Sequence, residues 1–449
     1  MAHDGASHGA TTAPLLASTE KPPRNMYAFG CATLASMTTI LMGYNLALMS
    51  GAQLFIREDL GLTDEQVEVL AGSMNVYMLV SILAAGWAAD LLGRRGTLVL
   101  ANGFLMAGAL AMSLGGSYAA LMAARFITSI GVGFSLVVAP VYNAEISPAS
   151  ARGVLSSLLD IFVNVGILLS YVSNYALAGL PVHLSWRVMY AIGVLPPVLL
   201  AAGVLAMPES PRWLAMRGRE DDARAVLVRT SVWRELIFRP SAMVRRILVF
   251  VVGLNFLQQA LGVDAILLYS PLMFKKAGMS SNSAILGATV AIGVVKTCFI
   301  LVVSLFSDRF GRRPLLLASA GGVAASLTGL ALTLCIGETS PASTAACVAF
   351  TLATVAAFSV GWGSLPSTYT AEITPLRLRA QGSSLGMAVN RLTCGVVSMS
   401  FISLAGWITM PGCFFLYASM AATAYVFVFL RLPETKGRTL EEMDVLFSK

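Results

Sequence analysis

The sequence DLLGRR at residues 90–95 is repeated as DRFGRR at residues 308–313, about half the chain length later. Two further motifs recur at a similar separation, namely YNAEISP (142–148) with YTAEITP (369–375), and PES (208–210) with PET (433–435). Each copy follows an apolar segment at an equivalent place. Three motif pairs in the same order predict an internal duplication, in which two similar halves repeat in parallel.

The composition indicates that these halves lie in a membrane. Of the 449 residues, 57% are hydrophobic and only 12% are charged, whereas a soluble domain is about 25% charged. A soluble protein of this size could not bury so much apolar surface. The composition therefore excludes a soluble enzyme, a soluble nucleic-acid-binding protein and a disordered chain.

Apolar runs long enough to cross a bilayer as helices can be read along the chain. They are residues 27–50, 68–90, 97–116, 118–143, 154–178, 187–207, 246–274, 283–307, 314–336, 343–370, 381–406 and 411–431. With the repeat, they predict an all-α membrane protein of twelve transmembrane helices in two six-helix, pseudo-symmetric halves. The boundaries are a tail (1–24), an N-terminal half (25–214), a short central loop (215–245), a C-terminal half (246–431) and a second tail (432–449).

The basic residues orient this bundle. With the N-terminus in the cytoplasm, 23 of the 30 Lys and Arg residues fall on the cytoplasmic side, 4 fall on the other side and 3 lie inside segments. Positive charge concentrates on the cytoplasmic side of membrane proteins, so both termini are predicted to be cytoplasmic. The basic excess is explained by topology, and no nucleic-acid partner is needed.

The repeated motifs all lie at predicted cytoplasmic ends of segments, where acids and bases of neighbouring helices can pair. The sequence therefore predicts a cytoplasmic gate whose ion pairs hold the two halves together. The alternative is that these charges only fix the topology. The candidate gate residues are Asp90, Arg94, Arg95, Glu145, Arg152, Asp308, Arg312, Arg313, Glu372 and Arg379.

These motifs resemble the major facilitator superfamily, and within it the sugar porter family. The matching stretches include 93–96, 145–153, 208–214, 258–259, 308–313, 372–379 and 433–437. Residues 166–175, 262–271 and 295–297 are most similar to the plant polyol/monosaccharide transporters. This resemblance implies alternating access for polyols, inositol or monosaccharides, usually with a proton as co-substrate, and no other cofactor.

Polar groups inside apolar segments are costly, so each is a candidate for function. Amides both donate and accept hydrogen bonds, as neutral polyhydroxyl ligands require. The resemblance places six such residues at the substrate site, with hydrogen bonding between helices as the alternative. They are Gln258, Gln259, Asp264, Asn390, Asp160 and Lys296. Arg391 is interpreted as extending towards the membrane surface.

Proton coupling is put in question by one substitution. In proton-coupled sugar porters, the Arg that corresponds to Arg125 pairs with an Asp of a Gly-Tyr-Asp motif, which here reads Gly43-Tyr44-Asn45. Facilitative members carry Asn there, and an amide does not take up a proton near neutral pH. The sequence therefore predicts uncoupled transport, with Asp160 as an alternative proton site.

Two other departures affect the expected activity. Ser367 replaces the aromatic platform of the family, and Trp362 is displaced from that place. The central loop is shorter than in the family by about 40 residues, more than ordinary loop variation. The expected function is a non-enzymatic transporter of a small neutral polyhydroxyl substrate in the lipid bilayer, at the plasma membrane in preference to the vacuole. A sugar sensor and a transport-impaired variant are the alternatives, and the sequence does not give the oligomeric state.

Overall fold

The computed structural model describes residues 26–146, 152–210, 213, 242–336, 340–374 and 379–434. All regular structure in these ranges is helical, so the predicted all-α class is confirmed. The helices are α1 Met26–Leu60, α2 Asp64–Leu114, α3 Tyr118–Ile146, α4 Arg152–Leu177, α5 Val182–Ile192, α6 Leu195–Leu205, α7 Ala242–Ala260, α8 Val263–Lys276, α9 Asn282–Phe310, α10 Arg312–Cys335, α11 Pro341–Val360, α12 Leu365–Ile373, α13 Arg379–Ile408 and α14 Met410–Arg431.

These helices make the twelve predicted passes. Within the described ranges, eleven stretches are long and apolar enough to cross a membrane. One of them, α2, has 51 residues. A straight helix of that length would measure about 76 Å, more than twice the roughly 30 Å of a hydrocarbon core. Helix α2 contains a single non-helical residue, Gly93 (φ 81°, ψ 167°), where the chain reverses between two passes. The predicted loop 91–96 is therefore reduced to one glycine.

Three predicted passes are each divided into two helices. The pairs are α5 with α6, α7 with α8, and α11 with α12. Gly262 separates α7 from α8 with a φ of 74°, which favours glycine. Pro196 and Pro366 lie in the first turns of α6 and α12, where proline is tolerated because no helical N–H is needed. Such interruptions are allowed at membrane depth where they line a cavity. The α7–α8 and α11–α12 breaks both lie beside a cavity.

Close helix packing shapes both halves. In the N-terminal half α1 packs on α4 and α2 on α3, and in the C-terminal half α10 packs on α14 and α11. Gly43 of α1 faces the Val163 carbonyl of α4, and Gly166 of α4 faces the Ile40 carbonyl of α1. A Cβ at either glycine would collide with backbone, so these residues permit the close approach that drives helix association in lipid.

The outer surface is apolar, as expected for an integral membrane protein. Large side chains such as Leu83, Trp87, Leu199 and Leu430 are more than half exposed. In water such a surface would drive association, whereas in a bilayer it faces hydrocarbon.

The two ends of the bundle differ in charge. We call the end that carries Arg94, Arg95, Arg312 and Arg313 the basic end. The end that carries Asp59, Glu68 and Arg187 is called the opposite end. The sequence predicts that the basic end is cytoplasmic.

Candidate functional site

A cavity of about 310 Å³ lies between the two halves. Its size is at the lower end of small-molecule sites. All six residues predicted for the substrate site line it, together with Arg125, whereas Asn45 does not. The six are Gln258, Gln259, Asp264, Asn390, Asp160 and Lys296.

Three amides on one wall of the cavity form a hydrogen-bonded cluster. Asn390 of α13 donates to the Gln258 Oε1 atom at 2.8 Å, and Gln259 donates to the Asn390 Oδ1 atom at 3.2 Å. Gln258 also donates to the backbone carbonyl of Trp362 at 2.7 Å. That carbonyl is available because the chain leaves helical geometry between α11 and α12. The cluster, defined as Gln258, Gln259 and Asn390, therefore joins α7, α13 and the α11–α12 break.

Charged groups line the same cavity. Asp160 is exposed to it, and within the described residues it makes no ion pair at 4 Å or less. Lys296 is 9% exposed and lines the cavity together with Asp264. Arg391 also lines the cavity. Its buried Nε has no hydrogen-bond acceptor within the described part of the chain.

Arg125 is satisfied without a carboxylate. Its guanidinium donates to the backbone carbonyls of Leu70 at 3.1 Å and Ala71 at 2.9 Å, and it is 2% exposed. Asn45 is also buried, and its amide donates to the Leu41 carbonyl of its own helix at 2.9 Å. Within the described part of the chain, Arg125 forms no ion pair. The amide at Asn45 is therefore engaged locally, and Arg125 binds turns of α2.

Trp362 does not line the cavity. Its ring is fully buried, and its indole N–H donates to the Leu316 carbonyl of α10 at 3.1 Å. Ser367 lines the cavity and is exposed there. The cavity wall at this place is therefore a small hydroxyl side chain rather than an aromatic ring.

At the basic end, Arg94 is the centre of a buried ion-pair network. It pairs with Glu145 of α3 at 3.1 Å and with Asp90 at 3.4 Å. Ser210 donates a hydroxyl hydrogen bond of 2.5 Å to Glu145. All four residues belong to the N-terminal half. The network therefore ties the helices of one half together at the place where the sequence predicts a gate.

Two glutamates outside the predicted gate set make equivalent contacts, one in each half. Glu209 accepts the backbone N–H groups of Arg94 (2.9 Å) and Arg95 (3.1 Å). Glu434 accepts those of Arg312 and Arg313, each at 3.0 Å. In each case the N–H groups begin a helix and are without helical partners, so an acid suits both the donors and the helix dipole.

A glycine with positive φ precedes these N–H groups in each half, Gly93 at 81° and Gly311 at 88°. The signal for Glu209 and Glu434 was present in the sequence, since both lie in the repeated PES and PET motifs. Four of the predicted gate residues have side chains outside the described part of the structure, namely Arg152, Asp308, Glu372 and Arg379.

The cavity is closed at the opposite end by contacts between the halves. Ser50 and Gln53 of α1 donate to the carbonyls of Leu267 and Leu268 in α8, each at 2.9 Å. The helix pairs α2–α13 and α4–α9 also pack across the halves. Among the described residues, hydrogen bonds between the halves lie at this end or beside the cavity, and none lies at the basic end.

The sequence was compared with known families and proteins. The profile of the sugar (and other) transporter family matches residues 31–447. The chain is 48% identical to Polyol transporter 5 of Arabidopsis thaliana over 472 aligned residues, which cover 95% of this chain and 88% of that protein. It is 31% identical to the glucose transporter GlcP of Staphylococcus epidermidis, with 92% of this chain and 95% of that protein covered.

Solved structures agree with this match. A crystal structure of a D-xylose-proton symporter superposes with a TM-score of 0.80 at 26% identity, covering 92% of this chain and 100% of that one. An inward-open structure of the xylose transporter XylE from E. coli, at 24% identity, has a TM-score of 0.78. At 24% identity, the second similarity shows a shared fold and nothing more. Together they confirm the predicted architecture of two six-helix halves.

Proposed function

The chain belongs to the sugar (and other) transporter family, together with the plant polyol transporters, and on this premise we propose that it carries polyols or monosaccharides across a membrane by alternating access. Its relatives are transporters and not enzymes. The observation that supports a polyhydroxyl substrate is the amide cluster of Gln258, Gln259 and Asn390 in the cavity between the halves.

The amide cluster suits a neutral substrate that carries several hydroxyl groups. Each amide both donates and accepts, and the three amides hydrogen-bond to one another. A row of hydroxyl groups can exchange with these bonds one for one, so substrate binding leaves no buried polar group unsatisfied. Asp160, Asp264 and Lys296 are the further proposed contacts on the remaining walls.

Transport is proposed to be uncoupled from protons. Asn45 stands where proton-coupled sugar porters carry Asp, and its amide is engaged with its own helix. Arg125 is satisfied by backbone carbonyls, so it needs no titratable partner nearby. The alternative proton site is Asp160, which is accessible from the cavity.

The membrane orientation follows from the charges. The basic end is proposed to face the cytoplasm, which puts both termini there and makes the opposite end external. The cavity is then closed on its external side in this structure. The proposed location is the plasma membrane.

Uptake in yeast that lacks its own sugar transporters tests the proposal. Labelled sorbitol, mannitol, inositol and glucose are offered at pH 5 and pH 7.5, with and without a protonophore. Saturable uptake of at least one compound is expected, and Gln258→Ala should lower it at equal expression. Asn102→Ala is the matched control, because this buried amide lies outside the cavity and donates to the Leu98 carbonyl of its own helix.

The same assay tests the coupling and the alternatives. Uptake abolished by the protonophore would contradict the uncoupled mechanism, and Asn45→Asp should then make no difference. If the mechanism is uncoupled, Asn45→Asp is the variant expected to introduce protonophore sensitivity. A chain that reaches the plasma membrane and takes up none of the four compounds would favour a sensor or a transport-impaired variant. The transport-impaired variant has one observation in its favour. The alignment with Polyol transporter 5 spans 472 positions, which is more than the 449 residues of this chain, so it contains gaps where this sequence lacks residues.

A further inference from the structure

Glu68 is a buried acid that joins the two halves at the opposite end. It lies near the start of α2 and is 2% exposed. Its carboxylate accepts the backbone N–H of Ile402 at 2.5 Å and that of Ser403 at 3.1 and 3.2 Å, and it also accepts the Ser403 hydroxyl. Both donor residues belong to α13 in the other half. One side chain of the N-terminal half is therefore held by three donor groups of the C-terminal half.

These donors are unusual because they lie inside a long helix. In a regular α-helix the N–H groups of Ile402 and Ser403 would donate to the carbonyls of Ser398 and Met399. Here both N–H groups also lie within hydrogen-bond distance of the Glu68 carboxylate. The Ser398 carbonyl accepts the Tyr269 hydroxyl of α8 at 2.8 Å. Glu68 and Tyr269 thus bind the two sides of one turn of α13.

The packing around this turn leaves little room for water. A Cβ on Gly72, one turn after Glu68, would collide with Met399 of α13. Gly395 packs on Val76 in the same interface. Phe401 stacks on Tyr269 with ring centroids 5.2 Å apart. The carboxylate of Glu68 therefore depends on the α13 donors rather than on solvent.

A buried carboxylate is costly unless it is hydrogen-bonded, and hydrogen bonds to an ionised group are about twice as strong as neutral ones. Within the described residues, no Lys or Arg pairs with Glu68. Its charge is thus compensated by donors that the other half supplies, and only while the halves are in contact at this end. Separation of α2 from α13 would break all of these bonds together.

We propose that Glu68 is the latch of the opposite end, a positioning residue whose carboxylate binds backbone N–H groups and a hydroxyl of α13 and stabilises the state in which the cavity is closed on that side. Opening the cavity to the opposite end requires that the carboxylate give up these α13 donors and be hydrated. The latch sets the ratio of the two access states. It has no counterpart in the repeat, because α9, which corresponds to the helix that carries Glu68, has no acidic residue in its first turn.

Thiol accessibility in purified protein tests this latch without any transport substrate, so the result is independent of the proposed substrate class. The reporter is Gln53→Cys in a background without the six native cysteines. Gln53 is 3% exposed, contacts α8 at the opposite end and does not line the cavity. A soluble maleimide should label this cysteine only when the opposite end opens.

Glu68→Gln should raise the labelling rate by roughly tenfold or more, because the carboxylate has at least two charge-assisted bonds to lose. Ser403→Ala removes a single donor and should raise the rate by about threefold. Glu65→Gln is the matched control, since it removes the same charge from an exposed position on the same helix. Its rate should equal that of the reporter alone.

The proposal is overturned if Glu68→Gln and Ser403→Ala both label at the rate of Glu65→Gln. Size-exclusion profiles show whether each variant is folded. If Glu68→Gln is unfolded, the milder Ser403→Ala decides the matter alone: a raised rate supports the latch, and an unchanged rate overturns it.

Discussion

The two ends of the bundle are held in different ways. At the basic end Arg94 pairs with Glu145 and donates its backbone N–H to Glu209, all within one half, and Glu434 repeats the Glu209 contact in the other half. At the opposite end Glu68 binds α13 across the halves. Among the described residues, the repeated motifs thus make contacts within each half, whereas residues without a repeat make contacts between the halves.

This difference fits a molecule in which two rigid halves move against each other. Duplication copies contacts within a half, because both partners are copied together. A contact between halves joins two different surfaces and need not be copied. In alternating access the first kind should persist in every state, and the second should break and form again. Variants at the two ends should therefore differ in what they change.

The largest loss of stability is expected at the basic end. Arg94→Ala leaves Glu145 buried without its guanidinium partner, since the two side chains are only 7% and 11% exposed. Breaking a buried pair from one side costs about 3–5 kcal/mol. The midpoint of thermal unfolding in detergent should fall strongly, while labelling of a cysteine at the opposite end should stay constant in the fraction that remains folded. A stable Arg94→Ala protein would contradict the role of this pair within the half.

Glu209→Ala and Glu434→Ala are expected to have equal effects of intermediate size. Each removes a carboxylate that accepts two backbone N–H groups at the start of a helix. Hydrogen bonds to charged groups contribute about 1.5–3 kcal/mol. The two midpoints of thermal unfolding should therefore fall by similar amounts. A loss at one position without the other would show that the repeated motifs are not structurally equivalent.

Much of the architecture could be predicted from the sequence, because long apolar runs and a parallel repeat leave few alternatives. The divisions within passes were not predicted, since Gly262 inside an apolar run gives no signal of its conformation. The amide cluster was found because polar residues are rare inside such runs. Glu68 was missed because it follows Asp64 and Glu65 and looks like part of a solvated first turn, and its partner Ile402 is 334 residues away.

The same substitution, Tyr→Phe, can be made at both ends of the bundle and allows the two ends to be compared. Tyr142 and Tyr369 donate to the carbonyls of Pro208 and Pro433 within their halves, at 2.9 and 2.8 Å. Tyr269 donates to Ser398 beside Glu68. Each Tyr→Phe change removes a hydroxyl worth about 0.5–1.5 kcal/mol. Labelling of the Gln53→Cys reporter should rise about two- to tenfold for Tyr269→Phe and not for the other two. Equal labelling in all three would remove the distinction between the ends.

The smallest effect is expected where an ion pair lies on the surface of the opposite end. Arg57 and Asp64 are 2.8 Å apart, but their side chains are 44% and 52% exposed. Water already solvates both charges, so the pair contributes about 0–1 kcal/mol. Arg57→Ala should leave both the midpoint of thermal unfolding and the labelling of Gln53→Cys nearly unchanged, although the pair joins α1 to α2. A large change in either would mean that charge near this end, and not the buried geometry at Glu68, governs its closure.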